Sequence, residues 1–238
     1  MTSKMKAQDL SIIIPTFNEA TRIEKLLQSL QLLVGSEYII ADGGSKDETM
    51  TIARAFGANV VSRHGGRGPQ LATGVQASSR PVLWIIHADS VPPFDPLAVM
   101  TPVIARGNAG AFRLKIDHSA YRYRLVEWGV RIRNLFSGLP YGDQGLFLTR
   151  ELYEQIGGFL PYPIMEDVAL CQAIKQAGRK IELLTQTITT DARRYEREGI
   201  LKRIVKNKRI EIRYFLFNVS PHNLAKDYLP EPLTKDKN

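Results

Sequence analysis

The chain has 238 residues, 44% hydrophobic and 24% charged, the make-up of a folded protein long enough to bury a sizeable core. No apolar run reaches the roughly 20 residues that span a bilayer. Met1 to Asp9 lacks a signal-peptide core, and a lone cysteine, Cys171, excludes an internal disulfide, so a cytoplasmic home is expected.

The net charge of +8 is uneven, because nine Lys or Arg against three Glu fall between Arg193 and Arg213. Such a block suits either an anionic partner or a solvated basic face. The basic residues carry no recognisable nucleic-acid module, so no nucleic acid is expected as a partner.

In chain order, Leu10 to Ile14 is an apolar strand stopped by Pro15. Asn18 is placed to cap a helix with the stripe Ile23, Leu26, Leu27 and Leu30. Tyr38 to Ala41 is a second strand and Asp42-Gly43-Gly44 a turn. Ser45 or Asp47 is placed to cap a helix carrying Ile52, Ala53 and Phe56. "ANVVSR" is a third strand, "GPQLATGVQAS" a third helix and "VLWIIHADS" a fourth strand. Alternation of this kind predicts a parallel α/β sheet covered on both faces.

Beyond residue 100, "AGAFRLKI" reads as a strand. "AYRYRLVEWGVRIRNLF" reads as a helix, with Tyr121, Leu125, Trp128, Ile132 and Leu135 at helical spacing. "GLFLTRELYEQIGGF" is a strand running into a helix, "MEDVALCQAIKQAGRK" a helix in which Cys171 is buried filler, and "IELLTQTITT" a strand. Ile200, Leu201, Ile204 and Val205 give the basic segment an apolar stripe. It suits packing on the sheet or, as the alternative, docking on anionic lipid across residues 193–217.

Polar residues gather where ligands of open parallel sheets bind, beyond the strands' carboxyl ends: Thr16, Asn18 and Glu19, then Asp42, then Asp89. No P-loop, G-x-G-x-x-G, C-x-x-C, H-E-x-x-H or G-x-S-x-G element occurs, and His64, His87, His118 and His222 are scattered. The adjacent Glu166 and Asp167 open an apolar helix. There they serve either as dipole-favoured N-terminal carboxylates or as a general base toward a hydroxyl nucleophile.

The ordered segments "SIIIPTFNEA", "ADGGSKDET", "GRGPQLATG", "HADS", "YGDQGLF", "GGF" and "MEDVAL", across residues 10–175, resemble family-2 inverting glycosyltransferases of the GT-A fold. "HADS", "GLPYGDQGLF" and "RRYEREGILK" are similar to a small soluble subgroup of arsenosugar-biosynthesis glycosyltransferases. The resemblance implies a Rossmann-like, mostly parallel sheet with helices on both faces and a C-terminal helical extension. It implies one domain over 1–229, with a nucleotide half at 9–100, an acceptor half at 101–190 and a basic extension at 191–229, followed by a loose tail at 230–238.

The same resemblance implies that a sugar passes from a nucleoside-diphosphate donor to an acceptor hydroxyl. UDP is the first expectation for the carrier and GDP the next. Pro15, Thr16, Asn18 and Glu19 would contact the nucleotide, Asp42 would accept from the base N–H, and Gly43, Gly44 and Ser45 would shape that pocket. Arg67 would lie beside the donor and Asp89 would hold a divalent Mg or Mn ion. Asp167, next to Glu166, would be the base, and Gly142, Asp143 and Gln144 would frame the acceptor. His87 stands where the family's Asp-x-Asp element has its first acid, facing the donor's ribose or sugar. "DARRY", from Asp191 to Tyr195, replaces the Gln-x-x-Arg-Trp element of processive members, and Arg193 or Arg194 is a candidate for the diphosphate. The alternatives are the same chemistry on a membrane lipid or polyprenyl phosphate, or a nucleotide-binding protein without catalysis.

Overall fold

The structure, a computed structural model, describes residues 5–228. Its frame is an eight-stranded mixed sheet of order β3-β2-β1-β4-β7-β6-β8-β5. The elements run β1 (Leu10–Thr16), α1 (Ala20–Leu30), β2 (Glu37–Asp42), α2 (Thr49–Ala55), β3 (Asn59–Ser62), α3 (Arg67–Gln76), β4 (Val82–Ile85), β5 (Ser90–Val91) and α4 (Pro96–Ala105). Next come β6 (Ala109–Asp117), α5 (Tyr121–Ser137), β7 (Phe147–Thr149), α6 (Arg150–Gln155) and α7 (Glu166–Gln176). The chain continues with β8 (Ile181–Asp191), α8 (Arg193–Glu198), α9 (Ile200–Phe215) and α10 (Pro221–Tyr228). The tail expected at 230–238 lies outside the described residues.

The apolar runs of the central strands sort by the period of two onto the sheet's two faces. Leu10, Ile12, Ile14, Ile40, Val82 and Trp84 join α1 on one side. Ile13, Ile39, Leu83 and Ile85 join α3 and α7 on the other. Strands β1, β2, β3 and β4 are mutually parallel, whereas β7 runs antiparallel between β4 and β6, and β5 runs antiparallel to β8.

Several expectations change. Pro15 does not stop β1: it pairs with Ala41 of β2, while β4 pairs only as far as Ile13, so the other side is open where Pro lacks its N–H. Asn18 does not cap α1. It adopts φ 54° and ties loops together, taking the Lys46 N–H on its side chain and giving its own N–H to Ser45. Neither Ser45 nor Asp47 is the N-cap of α2, a position held by Glu48. Helix α4 lies in a stretch to which the sequence reading assigns no element; Pro96 occupies its first turn, where the missing N–H costs nothing, and Asp95 caps the Ala98 N–H.

The apolar stripe of α5 faces outward: Tyr121, Leu125, Trp128 and Leu135 are exposed, while Tyr123, Val126 and Asn134 are buried. Polar bonds dock this helix. Arg124 donates to the Ile116 and His118 carbonyls at 2.7 and 3.0 Å, and Glu127 accepts the Ile116 N–H at 2.6 Å. The α9 stripe likewise stays exposed at Leu201 and Val205 instead of packing on the sheet.

Candidate functional site

A cavity of about 150 Å³ opens where β4, the loop before β7, the start of α7 and helices α8 and α9 converge. Its walls include Arg67, His87, Asp89, Gly142, Asp143, Glu166 and Asp167, which lie far apart in the sequence.

Glycines in the loop entering α3 set Arg67 in place. Gly66 has φ +95° and ψ −174°, and Gly66 and Gly68 press against the backbone of residues 160–163. There the Arg67 and Gly68 N–H groups donate to the Pro163 and Tyr162 carbonyls at 3.2 and 2.9 Å. Arg67 Nε then lies 3.5 Å from a Glu166 carboxylate oxygen, and its guanidinium donates to His87 Nε2.

Burial, followed by the charges of Arg67 and Arg194, holds the His87 pKa well below its ordinary value. His87 is therefore neutral and serves as an acceptor. The residue in the first acid's place is an uncharged partner of Arg67.

Asp167 Oδ2 accepts the Gly142 N–H at 2.6 Å and Oδ1 accepts the Val168 N–H at 2.8 Å. A Cβ on Gly142 would lie 3.1 Å from both Asp167 Oδ2 and His87 Nε2, so the glycine lets the backbone approach the acid. Asp143 Oδ1 is enclosed without a hydrogen-bond partner among the described residues, and burial raises its carboxyl pKa, Arg133 opposing and Asp167 adding.

Glu166 is buried and its carboxyl is pushed up to about 7 by desolvation, against the charge of Arg67 and with that of Asp167. Between its ordinary 4.5 and that value the native state binds the extra proton, so Glu166 makes stability fall as pH rises across the window. The effect is on the order of 3 kcal/mol. His87 slopes the other way below its ordinary 6.5, so the measurement is a difference between two proteins. Chemical denaturation at pH 5 and pH 8 should show Glu166→Gln gaining stability relative to the parent as pH rises. An unchanged difference would assign the proton elsewhere.

The "DARRY" segment and the C-terminal helices supply further walls: Asp191 at the end of β8, Arg194 and Tyr195, and, announced by no motif, Asn207, Glu211 and Arg203. Arg193 turns from the cavity to pair with Glu19 at 3.2 Å, and Arg22 pairs with Asp191 at 3.1 Å. Of the two arginines considered for an anion, only Arg194 reaches the cavity. Asp89 also lines it, and its carboxylate receives the Thr190 hydroxyl at 3.5 Å.

Other expected residues lie elsewhere. Pro15, Thr16, Asn18, Glu19, Asp42, Gly43 and Gly44 cluster at the carboxyl ends of β1 and β2, outside the cavity wall. Asp42, expected to meet a base N–H, has four partners within the protein. It is fully buried and accepts from the Thr16 and Ser45 hydroxyls and the Gly44 and Ser45 N–H groups at 2.5 to 2.9 Å. Its carboxylate builds the loop. Gln144, expected to frame the acceptor, is also fully buried, bonded to Asn134, Tyr141 and the Phe112 carbonyl, and braces α5 against β6. Cys171 is buried filler, its Sγ donating to the Pro140 carbonyl.

The sheet order, the acids beyond its strands and the helix-borne cavity define an α/β fold with a polar cleft at the strands' carboxyl ends. The chain belongs to glycosyl transferase family 2, whose model matches residues 11–163 and so ends just before Glu166 and Asp167. It is 30% identical over 181 residues to the PGL/p-HBAD biosynthesis glycosyltransferase of Mycobacterium bovis, covering 68% of each chain. It is 33% identical over 96 residues to glucosyl-3-phosphoglycerate synthase of Mycobacterium tuberculosis, covering 35% of this chain and only 30% of that protein.

Among solved structures, the same Mycobacterium tuberculosis synthase in complex with Mn²⁺, UDP and glucosyl-3-phosphoglycerate superposes with TM-score 0.58 at 23% identity, over 82% of this chain and 76% of that one. The mannosyltransferase PcManGT from Pyrobaculum calidifontis, in complex with GDP-Man and Mn²⁺, gives 0.58 at 18% identity, over 76% and 56%. These likenesses establish a GT-A-like fold.

Proposed function

We propose that the protein transfers a sugar, with inversion, from a nucleoside-diphosphate sugar to an acceptor hydroxyl, Asp167 taking the acceptor's proton. The observation that carries this reading is the Asp167 carboxylate, held by two backbone N–H groups inside a cavity that also presents Asp89 and Arg194. Each Asp167 oxygen keeps a second lone pair for the incoming hydroxyl. Arg194, which donates no hydrogen bond among the described residues, supplies positive charge toward a departing diphosphate. Gly142 and Asp143 border the acceptor, and Arg67, fixed by Glu166 and His87, borders the donor.

A divalent Mg or Mn ion fits this reading. No cluster of three protein metal ligands exists among the described residues, so Asp89 would hold the ion by one hard carboxylate together with the bound donor. Such an ion supplies Lewis-acid stabilisation of the leaving diphosphate. The complexes of the related enzymes, with UDP or GDP-Man and Mn²⁺, support the donor class and the ion. The narrower likeness to arsenosugar-biosynthesis enzymes leaves the acceptor open.

The test is a panel of UDP- and GDP-sugars, scored for binding and slow hydrolysis with and without Mn²⁺. Metal-dependent binding of one donor is expected, lost in Asp89→Ala. Metal dependence that survives Asp89→Ala would move the ion elsewhere, and no binding of any donor would overturn the reading.

A further inference from the structure

Two neighbouring helices turn apolar side chains away from the protein. On α9, Leu201, Val205 and Ile212 follow one outward strip that the C-cap residue Leu216 continues, with Leu201 79% and Val205 65% exposed. The opposite strip, with Arg203, Asn207, Ile210 and Glu211, lines the candidate cavity. On α5, Leu125, Trp128, Leu135 and Phe136 are exposed, Phe136 at 88%. The Arg133–Glu211 ion pair at 3.8 Å links the helices, and Val126 and Ile200 share one apolar cluster.

The charges beside these strips have one sign. Arg122, Arg131, Lys202 and Arg209 are exposed. The acids of the same two helices turn inward, Glu127 to the Ile116 N–H and Glu211 to Arg133. No helix among the described residues is long and apolar enough to cross a membrane. An amphipathic helix with cationic flanks and an outward apolar strip instead lies in the headgroup region of a bilayer. Trp128 and Tyr121 are the side chains favoured at that interface.

We propose that α5 and α9 together form a docking surface for an anionic lipid bilayer. Anionic headgroups complement the cationic flanks, whereas a second copy placed face to face would set like charges against each other. Docking brings the α9 wall of the cavity within one helix diameter, about 10 Å, of the headgroups. The surface stands apart from the transferase reading, since none of its apolar residues lines the cavity.

Flotation tests it with phosphatidylglycerol-containing and pure phosphatidylcholine vesicles, at low and high salt. The intact protein should float with the anionic vesicles at low salt, and less so at high salt. The double variant Val205→Asp, Ile212→Asp should lose at least about tenfold of that binding, because apolar area drives insertion. Its melting temperature should stay that of the parent, because both side chains are exposed. Absence of a vesicle-bound fraction at low salt overturns the proposal, as does binding the double variant retains. Sedimentation showing a dimer that the same variant dissociates would assign the face to a second copy and also overturns it.

Discussion

Asp167→Asn should lower sugar transfer by about 10²- to 10⁴-fold, the usual contribution of a positioned general base. The amide keeps the side chain's shape but has one acceptor oxygen where the carboxylate offers two. Either the Gly142 N–H at 2.6 Å or the Val168 N–H at 2.8 Å then faces an NH₂ group. A modest stability loss, about 1 kcal/mol for one lost hydrogen bond, accompanies the change. Two readouts keep that loss apart from catalysis. Nucleotide binding, which needs no proton transfer, should match the parent in calorimetry, while single-turnover transfer collapses. Unchanged turnover in a folded variant would remove Asp167 from the base role. Asp143 would then be the acid to examine, since its enclosed Oδ1 has no hydrogen-bond partner among the described residues.

The strands and helices of the first half were legible because their apolar runs and glycine stops are local signals. β1, α1, β2 and α3 fall where the sequence puts them, give or take two residues. Orientation was less legible. The "GLFLT" run reads as a strand, but only its pairing with Trp84 and Gly110 shows it to be antiparallel to its neighbours. Helix α5 shows why a periodic apolar stripe need not be core: Arg124 donating to the Ile116 carbonyl and Glu127 accepting the Ile116 N–H dock the other face. Within the cavity, the acids Asp89 and Asp167 stood out as residues beyond strand or helix ends. Arg194 was one of two candidates in "DARRY", whereas Arg203 and Glu211 had no such mark, because tertiary packing of α9 brings them in. Asp42 and Gln144 show the converse: conspicuous polar residues whose bonding capacity is spent inside the protein.

Gly66→Ala should be among the most damaging single substitutions, costing roughly 3 to 5 kcal/mol of stability. Two penalties coincide. The backbone at φ +95° and ψ −174° lies in a region essentially reserved for glycine. A Cβ there would also fall inside van der Waals contact with the Pro163 backbone, which cannot rotate away as a flexible side chain would. The consequence reaches the site. The residue after Gly66 is Arg67, whose own N–H bonds the Pro163 carbonyl and whose guanidinium meets Glu166 and His87. Pushing residues 66 and 163 apart separates Arg67 from Glu166, leaving a buried carboxyl without its charged partner. Denaturant unfolding should therefore show a lower midpoint, and at temperatures where the variant is folded, donor binding should weaken more than in Gly57→Ala. Gly57 also has positive φ, 77°, but nothing lies within 4 Å of its Cβ position, so it reports backbone strain alone. Equal losses in the two variants would mean that the contact with Pro163 plays no part in holding Arg67.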